Sequence, residues 1–444
     1  MFASGVHWIF VPIDQFSSTP TVLGVLIVFG FVALVAGVYF ILPFLILGRF
    51  CAPHPLGLLL GLPAMWVVTE WLRTWLFTGF PWLFLGYGHL HTWLSGWAPI
   101  TGVLGIGFIL CFTASSLIYA WKQRRNIVHA VSPLVATLLL WGIGFFAQSL
   151  QWTQPFGETV KVGIAQGNIS PDKKWQPSYL QPTLDRYKTL SDELWDNDWV
   201  IWPEAAIPLI ANSQQDYARL QPLLEELKYK AIANNAALIT GILVLSPERK
   251  IHNSIMATGL GSGLYFKQRL VPVGEYAPLE DYLSGVFNFF KIPRSMIAPG
   301  PSHQAGLQIG ATLLAPTICY EIVYPDLVAE TARSANVLIT ISNDAWFGHS
   351  IGPNQHMQMA QMRALETRRY LIRGTNNGIS ALVDDRGNIL VKSKSYVMDA
   401  IEGEIDLRQG LTPFMQFGSW PIVAMSLVIL LMLGILARRN KEVT

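Results

Sequence analysis

The sequence has few charged residues and only three cysteines, and each shortage excludes a class of protein. Aspartate, glutamate, lysine and arginine make up 14% of the 444 residues, whereas hydrophobic residues make up 51%. This composition is too apolar for an ordinary soluble protein. Cys51, Cys111 and Cys319 lie far apart and match neither a CxxC motif nor a zinc spacing. A disulfide framework and a zinc site are therefore not indicated.

The two signs of charge are nearly balanced, but the charges are unevenly distributed. The formal net charge is +2 and no basic tract is present, so nucleic acid is not an expected partner. Residues 50–150 carry few charges, whereas residues 158–408 have the charge density of a soluble domain. We predict a multi-span membrane domain (1–150), a water-facing domain (151–416) and a carboxy-terminal membrane helix with a basic tail (417–444). No metal or cofactor is predicted, because no constellation of ligands is visible.

Five apolar stretches are long enough to cross a bilayer. They cover residues 21–47, 56–76, 100–120, 127–150 and 417–437. Residues 79–97 carry no charge but are interrupted by glycine, proline and tryptophan, which predicts an interfacial or re-entrant segment. The second stretch contains Glu70 and Arg73, whose spacing lets them pair on one helix face. We expect a structural ion pair near the outer interface.

Basic residues follow three of these stretches, at Arg49, in the loop 122–125 and in the tail 438–441. The positive-inside rule places these sites in the cytoplasm, and residues 151–416 then lie on the other side. In a bacterium with two membranes, this predicts a multi-pass inner-membrane protein with a periplasmic domain. The same rule places Met1 outside, although no signal peptide precedes it.

Residues 151–416 alternate between strand-like and helix-like patterns, which indicates an α/β domain with helices on the faces of a sheet. The predicted strands are 160–169, 199–203, 237–245, 254–260, 264–271, 308–318, 337–342 and 378–384. The predicted helices include 217–233, 327–334 and 355–369. An apolar stretch at 283–292, flanked by glycine and proline, fits either a core helix or an arm that touches the bilayer or covers a site.

Three strand-like runs each carry one ionisable residue at or near their end: Glu204, Lys267 and Cys319. A cysteine in such a position is most often a small buried residue. The three types together, however, suffice for nucleophilic catalysis. A thiolate attacks acyl carbons, a carboxylate can take the thiol proton, and an ammonium can stabilise the oxyanion.

The residues around these three resemble the bacterial apolipoprotein N-acyltransferases, within the nitrilase (carbon–nitrogen hydrolase) superfamily. The resemblance rests on Trp202-Pro203-Glu204, on Lys267 to Tyr276, on Cys319-Tyr320-Glu321 and on Ser342 to Gly348. It implies an α/β nitrilase-like αββα sandwich beside the α-helical transmembrane domain. It also implies Cys319 as nucleophile, Glu204 as general base and Lys267 as oxyanion stabiliser. The family pattern has further amino-terminal spans, so we expect this chain to start late.

The resemblance also implies roles for neighbouring residues. Glu275 is expected at the site and needed for activity, although pairing with the site lysine would explain it equally well. Tyr320 and Glu321 are expected to contact substrate, although Glu321, like Glu275, could equally be a structural carboxylate. Trp346 and Phe347 lie on a glycine-flanked loop, where they would offer an aromatic surface to an acyl chain.

The implied reaction is N-acylation of the diacylglyceryl-cysteine amino terminus of apolipoproteins. A membrane glycerophospholipid would be the acyl donor, and a Cys319 thioester the intermediate. Both substrates are lipids of the bilayer, which agrees with the predicted spans. One alternative is a membrane-anchored carbon–nitrogen hydrolase (amidase) with the same three residues, although a small polar substrate needs no membrane. The other is a transporter or lipid-binding protein, which leaves the three residues unexplained.

Overall fold

The computed structural model describes residues 2–16, 19–50, 56–272, 274–276 and 297–443. The apolar stretch 283–292 and Cys51 lie outside these described residues. The amino-terminal part is helical, with α1 (Phe2–Gly5), α2 (Phe10–Phe16), α3 (Thr21–Phe50), α4 (Gly57–Leu72), α5 (Ala98–Lys122) and α6 (Ile127–Ala147). Over the described residues, four helices are long and apolar enough to cross a membrane: α3, α5, α6 and the helix near the carboxy terminus.

Helices α3 and α4 each contain a π-helical turn, Gly37–Ile41 and Gly57–Gly61. A proline follows each turn two residues later, Pro43 in α3 and Pro63 in α4. Proline has no N–H to donate to the carbonyl four residues before it, so the regular ladder is interrupted there. The wider turn accommodates this interruption without ending the helix.

The second predicted span is shorter than expected. Helix α4 has only 16 residues, about 24 Å of helix. The segment predicted to be irregular is confirmed to be so: short 3₁₀ turns occupy Leu76–Thr78, Leu85–His89 and Trp93–Trp97. This segment leads to the start of α5, and several of its side chains, among them Trp82 and Leu94, are buried in the core.

The predicted pair Glu70 and Arg73 is present and fully buried, with 3.5 Å between carboxylate and guanidinium. Glu70 Oε1 accepts the N–H of Leu85 at 2.9 Å, and Arg73 Nη1 donates to the carbonyl of Trp82 at 2.9 Å. The pair therefore anchors the irregular segment to the end of α4. A structural role is supported, since both charges bond to backbone groups of one fold element.

The remaining chain forms two seven-stranded sheets and a short two-stranded one. Its strands are β1 (Gln154–Pro155), β2 (Val160–Gln166), β3 (Trp199–Ile201), β4 (Ile207–Ala211), β5 (Ala237–Leu245), β6 (Ile251–Gly259), β7 (Gly261–Ser262), β8 (Leu264–Phe266), β9 (Leu307–Ile309), β10 (Thr312–Ile318), β11 (Val337–Ser342), β12 (Leu371–Thr375), β13 (Ala381–Val383), β14 (Ile389–Lys392), β15 (Asp399–Ile405) and β16 (Arg408–Gln409). The first sheet has the order β15-β2-β3-β5-β6-β8, with β4 beside β5, and the second has the order β14-β13-β12-β11-β10-β9-β7.

Helices cover the outer faces of the sheets. The helices of this part are α7 (Pro171–Lys174), α8 (Leu180–Asp192), α9 (Tyr217–Ala233), α10 (Pro325–Ala332), α11 (Gly352–Thr367), α12 (Pro413–Phe417) and α13 (Trp420–Val443), of which α13 packs on α3 and α4 and not on a sheet. The sheets share an apolar core to which Ile164 and Ile201 contribute from one side and Ile339 and Ile341 from the other. Helices α8 and α9 pack on the first sheet, and α10 and α11 on the second. This arrangement confirms the predicted αββα sandwich.

Helix α11 lies between the second sheet and the membrane helices. Glu366 on this helix is fully buried and accepts the N–H of Val103 of α5 at 2.8 Å. Arg363, one turn earlier, pairs with Glu366 at 3.0 Å. One hydrophobic cluster contains residues of both parts, among them Val103 and Leu104 of α5 and Met362 of α11. The sandwich and the bundle are therefore packed together through a shared core.

Candidate active site

Cys319 stands at the carboxyl end of β10, in the middle of the second sheet. It opens a 3₁₀ turn, Cys319–Val323, and its φ is +53°. A residue with a side chain rarely adopts this left-handed conformation, and such strain is concentrated at active sites. The sharp turn ends the strand and keeps the thiol at the rim of the sheet, where it is 9% exposed.

Glu204 follows β3, which lies centrally in the first sheet, so it reaches the same end of the sandwich. The next residue, Ala205, also has a left-handed backbone, with φ +45°. Gly241 of β5 packs against this turn so closely that a Cβ there would lie 2.4 Å from the Ala205 nitrogen. A glycine at that position therefore permits the turn that presents Glu204.

Lys267 follows β8 and is 1% exposed, with two carboxylates around its ammonium. Its Nζ lies 2.7 Å from Glu275 Oε1 and 3.5 Å from Glu204 Oε1. Asn253 of β6 completes the group, because its Nδ2 donates to Glu204 at 2.7 Å and to Glu275 at 3.3 Å. Burial alone would lower the pKa of Lys267, but the charges of Glu275 and Glu204 more than offset it and raise the pKa. The ammonium is therefore charged at neutral pH.

Glu275 has contacts of both kinds that the sequence left open, with the lysine and with the site. It pairs with Lys267, and its second oxygen accepts the N–H of Val271 at 2.8 Å, which fixes the loop that carries it. It also lies at the site itself, since Asn253 links it to Glu204. Its carboxylate thus holds the ammonium in place.

The thiol of Cys319 is poorly acidic in this environment. Burial raises its pKa to about 12, the charge of Glu204 adds to the rise, and Lys267 opposes it. At neutral pH the Cys319 side chain is therefore the protonated thiol. To act as a nucleophile it would need a base to remove its proton, and Glu204 is the carboxylate whose charge acts on it most strongly.

Glu321, expected to contact substrate, is fully buried, and its carboxylate hydrogen-bonds to neighbouring parts of the fold. Its Oε1 accepts the N–H groups of Gln268 and Arg269 at 2.6 and 3.0 Å and the hydroxyl of Tyr265 at 3.1 Å. Its Oε2 accepts the N–H of Ile318 at 2.8 Å. Burial raises its pKa to about 7, although these four donors favour the ionised form. This carboxylate ties the turn of the nucleophile to the loop that follows Lys267, which favours a positioning role.

The aromatic residues expected to bind substrate differ in exposure. Trp346 is 45% exposed, as an acyl-chain contact would require. Phe347 is buried against Trp8 of the amino-terminal segment, with ring centres 4.7 Å apart. Tyr320 is also buried, stacks on Trp82 and donates to the carbonyl of Gly79 at 3.3 Å. Two of the three therefore join the catalytic domain to the membrane part.

His356 is 1% exposed, and its contacts indicate a structural role. Its Nε2 lies 3.1 Å from the carbonyl of Cys319, and its Nδ1 lies 3.0 Å from Arg373 Nη2. Burial, with the charge of Arg373, lowers the pKa of His356, whereas Asp344, whose Oδ1 lies 3.1 Å from the same Nδ1, opposes the fall. Arg373 also binds Asp344 at 2.8 Å and holds the pKa of that buried carboxyl below its usual range.

Two polar residues at the site escaped prediction, Asn253 and Lys174. Lys174 is 3% exposed, and its Nζ donates to the carbonyl of Glu204 at 2.8 Å. Burial lowers its pKa to about 8. Asn253 stands between His252 and Ser254 at the start of β6, so the local pattern gives no signal for it. Lys174 follows another lysine in a polar stretch and resembles an ordinary surface residue.

Comparisons with known proteins agree with this architecture. Residues 161–410 match the family described as carbon–nitrogen hydrolase. Residues 1–116 match the family described as the apolipoprotein N-acyltransferase N-terminal domain. The two matches cover the sandwich with its site and most of the helical part.

Full-length relatives carry the same name. The apolipoprotein N-acyltransferase of Pseudomonas paraeruginosa is 40% identical over 99% of this chain and 85% of that protein. Those of Pseudomonas putida and Vibrio parahaemolyticus are 39% and 36% identical, over 98% and 96% of this chain, and each is covered to 85%. This protein is therefore an acyltransferase of the apolipoprotein N-acyltransferase family, with a catalytic domain of the carbon–nitrogen hydrolase type.

Proposed function

We propose that this enzyme transfers an acyl chain from a membrane glycerophospholipid to the amino terminus of diacylglyceryl-cysteine apolipoproteins, in two steps. In the first step the Cys319 sulfur attacks the ester carbonyl while Glu204 takes the thiol proton. The Lys267 ammonium stabilises the oxyanion. Collapse breaks the ester bond, the alkoxide of the lysophospholipid leaves, and it receives the proton from Glu204.

In the second step the amine of the apolipoprotein attacks the thioester. Glu204 accepts a proton from the nitrogen, the carbon–sulfur bond breaks, and the Cys319 thiolate leaves. Glu204 then returns the proton to sulfur, which restores the starting state. No metal ion or cofactor takes part in this scheme.

One observation carries the proposal: Glu204 and Lys267 contact each other and act electrostatically on Cys319. The three residues follow three different strands, so the fold brings them together. The second supporting feature is the core shared with helices that can cross a bilayer, since a site on such helices would be within reach of lipid substrates. An amidase could use the same three residues, with water in place of the amine. The small polar substrate of an amidase, however, would not require a catalytic domain that shares its core with apolar helices.

We expect the purified enzyme to gain the mass of one acyl chain after incubation with phospholipid vesicles. Intact-mass spectrometry should show this adduct persist in water and disappear on addition of a diacylglyceryl-cysteine peptide. Cys319→Ser should form no adduct, and Cys111→Ser, which changes a buried thiol in α5, should form it normally. An adduct that water clears without acceptor would favour the hydrolase, and an adduct on Cys319→Ser would contradict the nucleophile assignment.

We further propose the domain division 1–150, 151–416 and 417–444, in the inner membrane with the sandwich in the periplasm. A reporter enzyme that is active only in the periplasm should work when fused after Leu150 or Gln416. It should fail when fused after Thr444, because the basic tail favours the cytoplasm. Reporter activity at the carboxy terminus would place the catalytic domain in the cytoplasm and contradict this topology.

A further inference from the structure

A second cation lies two residues beyond Lys267, on the same loop. The backbone N–H of Arg269 donates to Glu321 Oε1 at 3.0 Å, so this residue is fixed to the turn that begins with Cys319. Its guanidinium lies 5.6 Å from the centre of the Tyr324 ring. Unlike the lysine, Arg269 is exposed, and the two-step mechanism has no use for it.

The surroundings of Arg269 lie at the junction with the membrane part. The hydroxyl of Tyr324 donates to the carbonyl of Thr78 at 3.1 Å. Tyr276 hydrogen-bonds to the side chain of Thr78 and interacts electrostatically with the Arg269 guanidinium. Residue Phe77 of the same turn is 68% exposed. Exposed aromatic side chains at the end of an apolar helix are typical of the membrane–water interface.

The guanidinium of Arg269 has no partner of opposite charge in the described part of the chain. Of the ion pairs among described residues, those at this site involve Lys267 with its two carboxylates. Glu321, which is close in space, uses its oxygens for backbone groups and a hydroxyl. An exposed arginine held over a ring, on the loop that follows Lys267 and at the junction with the membrane part, is suited to an anionic ligand.

We propose that Arg269, together with the hydroxyl of Tyr276, binds the phosphodiester of the acyl donor. The inference rests on the proposed function, which makes that donor a phospholipid. Only the glycerol backbone separates the reacting ester from the phosphate, so an ester at Cys319 brings the phosphate to the adjoining loop. The planar guanidinium can donate two parallel hydrogen bonds to phosphate oxygens.

The test compares Arg269→Gln with Arg219→Gln, a matched loss of one exposed positive charge on α9. Acylation of Cys319 is followed by intact mass with two donors, a phosphatidyl lipid and a diacylglycerol that lacks phosphate. We expect Arg269→Gln to lower the selectivity for the phosphatidyl lipid by about tenfold, chiefly through a higher half-saturating lipid concentration. Arg269→Lys should fall between, since it keeps the charge but not the bidentate geometry.

Equal losses with both donors, or no loss with either, would overturn the phosphate site while leaving the proposed function intact. Failure of the unaltered enzyme to accept an acyl group from any donor would overturn both. Competition separates a lipid headgroup from free phosphate: glycerol 3-phosphate should inhibit the unaltered enzyme more than inorganic phosphate does. Equal inhibition by the two would overturn the headgroup assignment.

Discussion

Replacing Glu204 by glutamine is expected to slow the acylation of Cys319 by about 10²–10⁴-fold, the usual contribution of a general base. The amide oxygen can still accept from Asn253, which donates to the carboxylate at 2.7 Å, so the local geometry should be kept. Proton acceptance is lost, because an amide cannot take the thiol proton. The rate is measured by intact mass in the presence of saturating phospholipid.

The same substitution should make the thiol more acidic, because the charge of Glu204 contributes to the raised pKa of Cys319. Alkylation of Cys319 by iodoacetamide should therefore rise with pH to a plateau at lower pH in Glu204→Gln than in the unaltered enzyme. In the latter the rate should still increase above pH 10, since the thiol pKa is about 12. A parallel fall in acylation and alkylation would contradict the base assignment and indicate a structural role.

Removing the ammonium with Lys267→Met is expected to lower both activity and stability. The substitution leaves Glu204 and Glu275 facing one buried site without a counter-charge. Breaking a buried ion pair in this way costs about 3–5 kcal/mol of unfolding free energy. Loss of an oxyanion donor should reduce the acylation rate by about 10²–10³-fold. Denaturant unfolding in detergent micelles and intact-mass kinetics measure the two effects.

A double variant separates the two roles of the lysine. Lys267→Met with Glu275→Gln removes one negative charge along with the positive one, so most of the stability should return. Acylation should remain low, because nothing replaces the ammonium at the oxyanion. Recovery of activity in the double variant would show that Lys267 acts only as a counter-charge.

Local patterns were sufficient to predict much of the sandwich. β5 and β11 and helix α9 begin and end where their apolar periodicity does, because each buries a regular face. β12 was missed because Arg373 interrupts its apolar run. That arginine is buried through its pairing with Asp344, a long-range contact that no local pattern reveals.

The three candidate catalytic residues could be identified from their motifs, whereas the residues that hydrogen-bond to them could not. Asn253 meets Glu204 only because β6 lies antiparallel to both β5 and β8. Glu321 lies within a motif and was therefore expected at the substrate. Its carboxylate instead accepts backbone N–H groups, such as those of Gln268 and Ile318. A motif predicts that a residue lies near the active site, whereas the pairing of the strands determines which groups its side chain contacts.

The packing of the last helix against the first ones has a consequence for biogenesis. Leu433 of α13 clusters with Leu47 of α3 and Met65 of α4. Helices α3 and α4 are thus synthesised early, whereas α13, which packs against them, is synthesised only after the whole sandwich. During translation the sandwich is therefore made before the bundle that it packs on is complete. A chain that ends before α13 would leave Leu47 and Met65 without this packing partner, so the last helix completes the bundle.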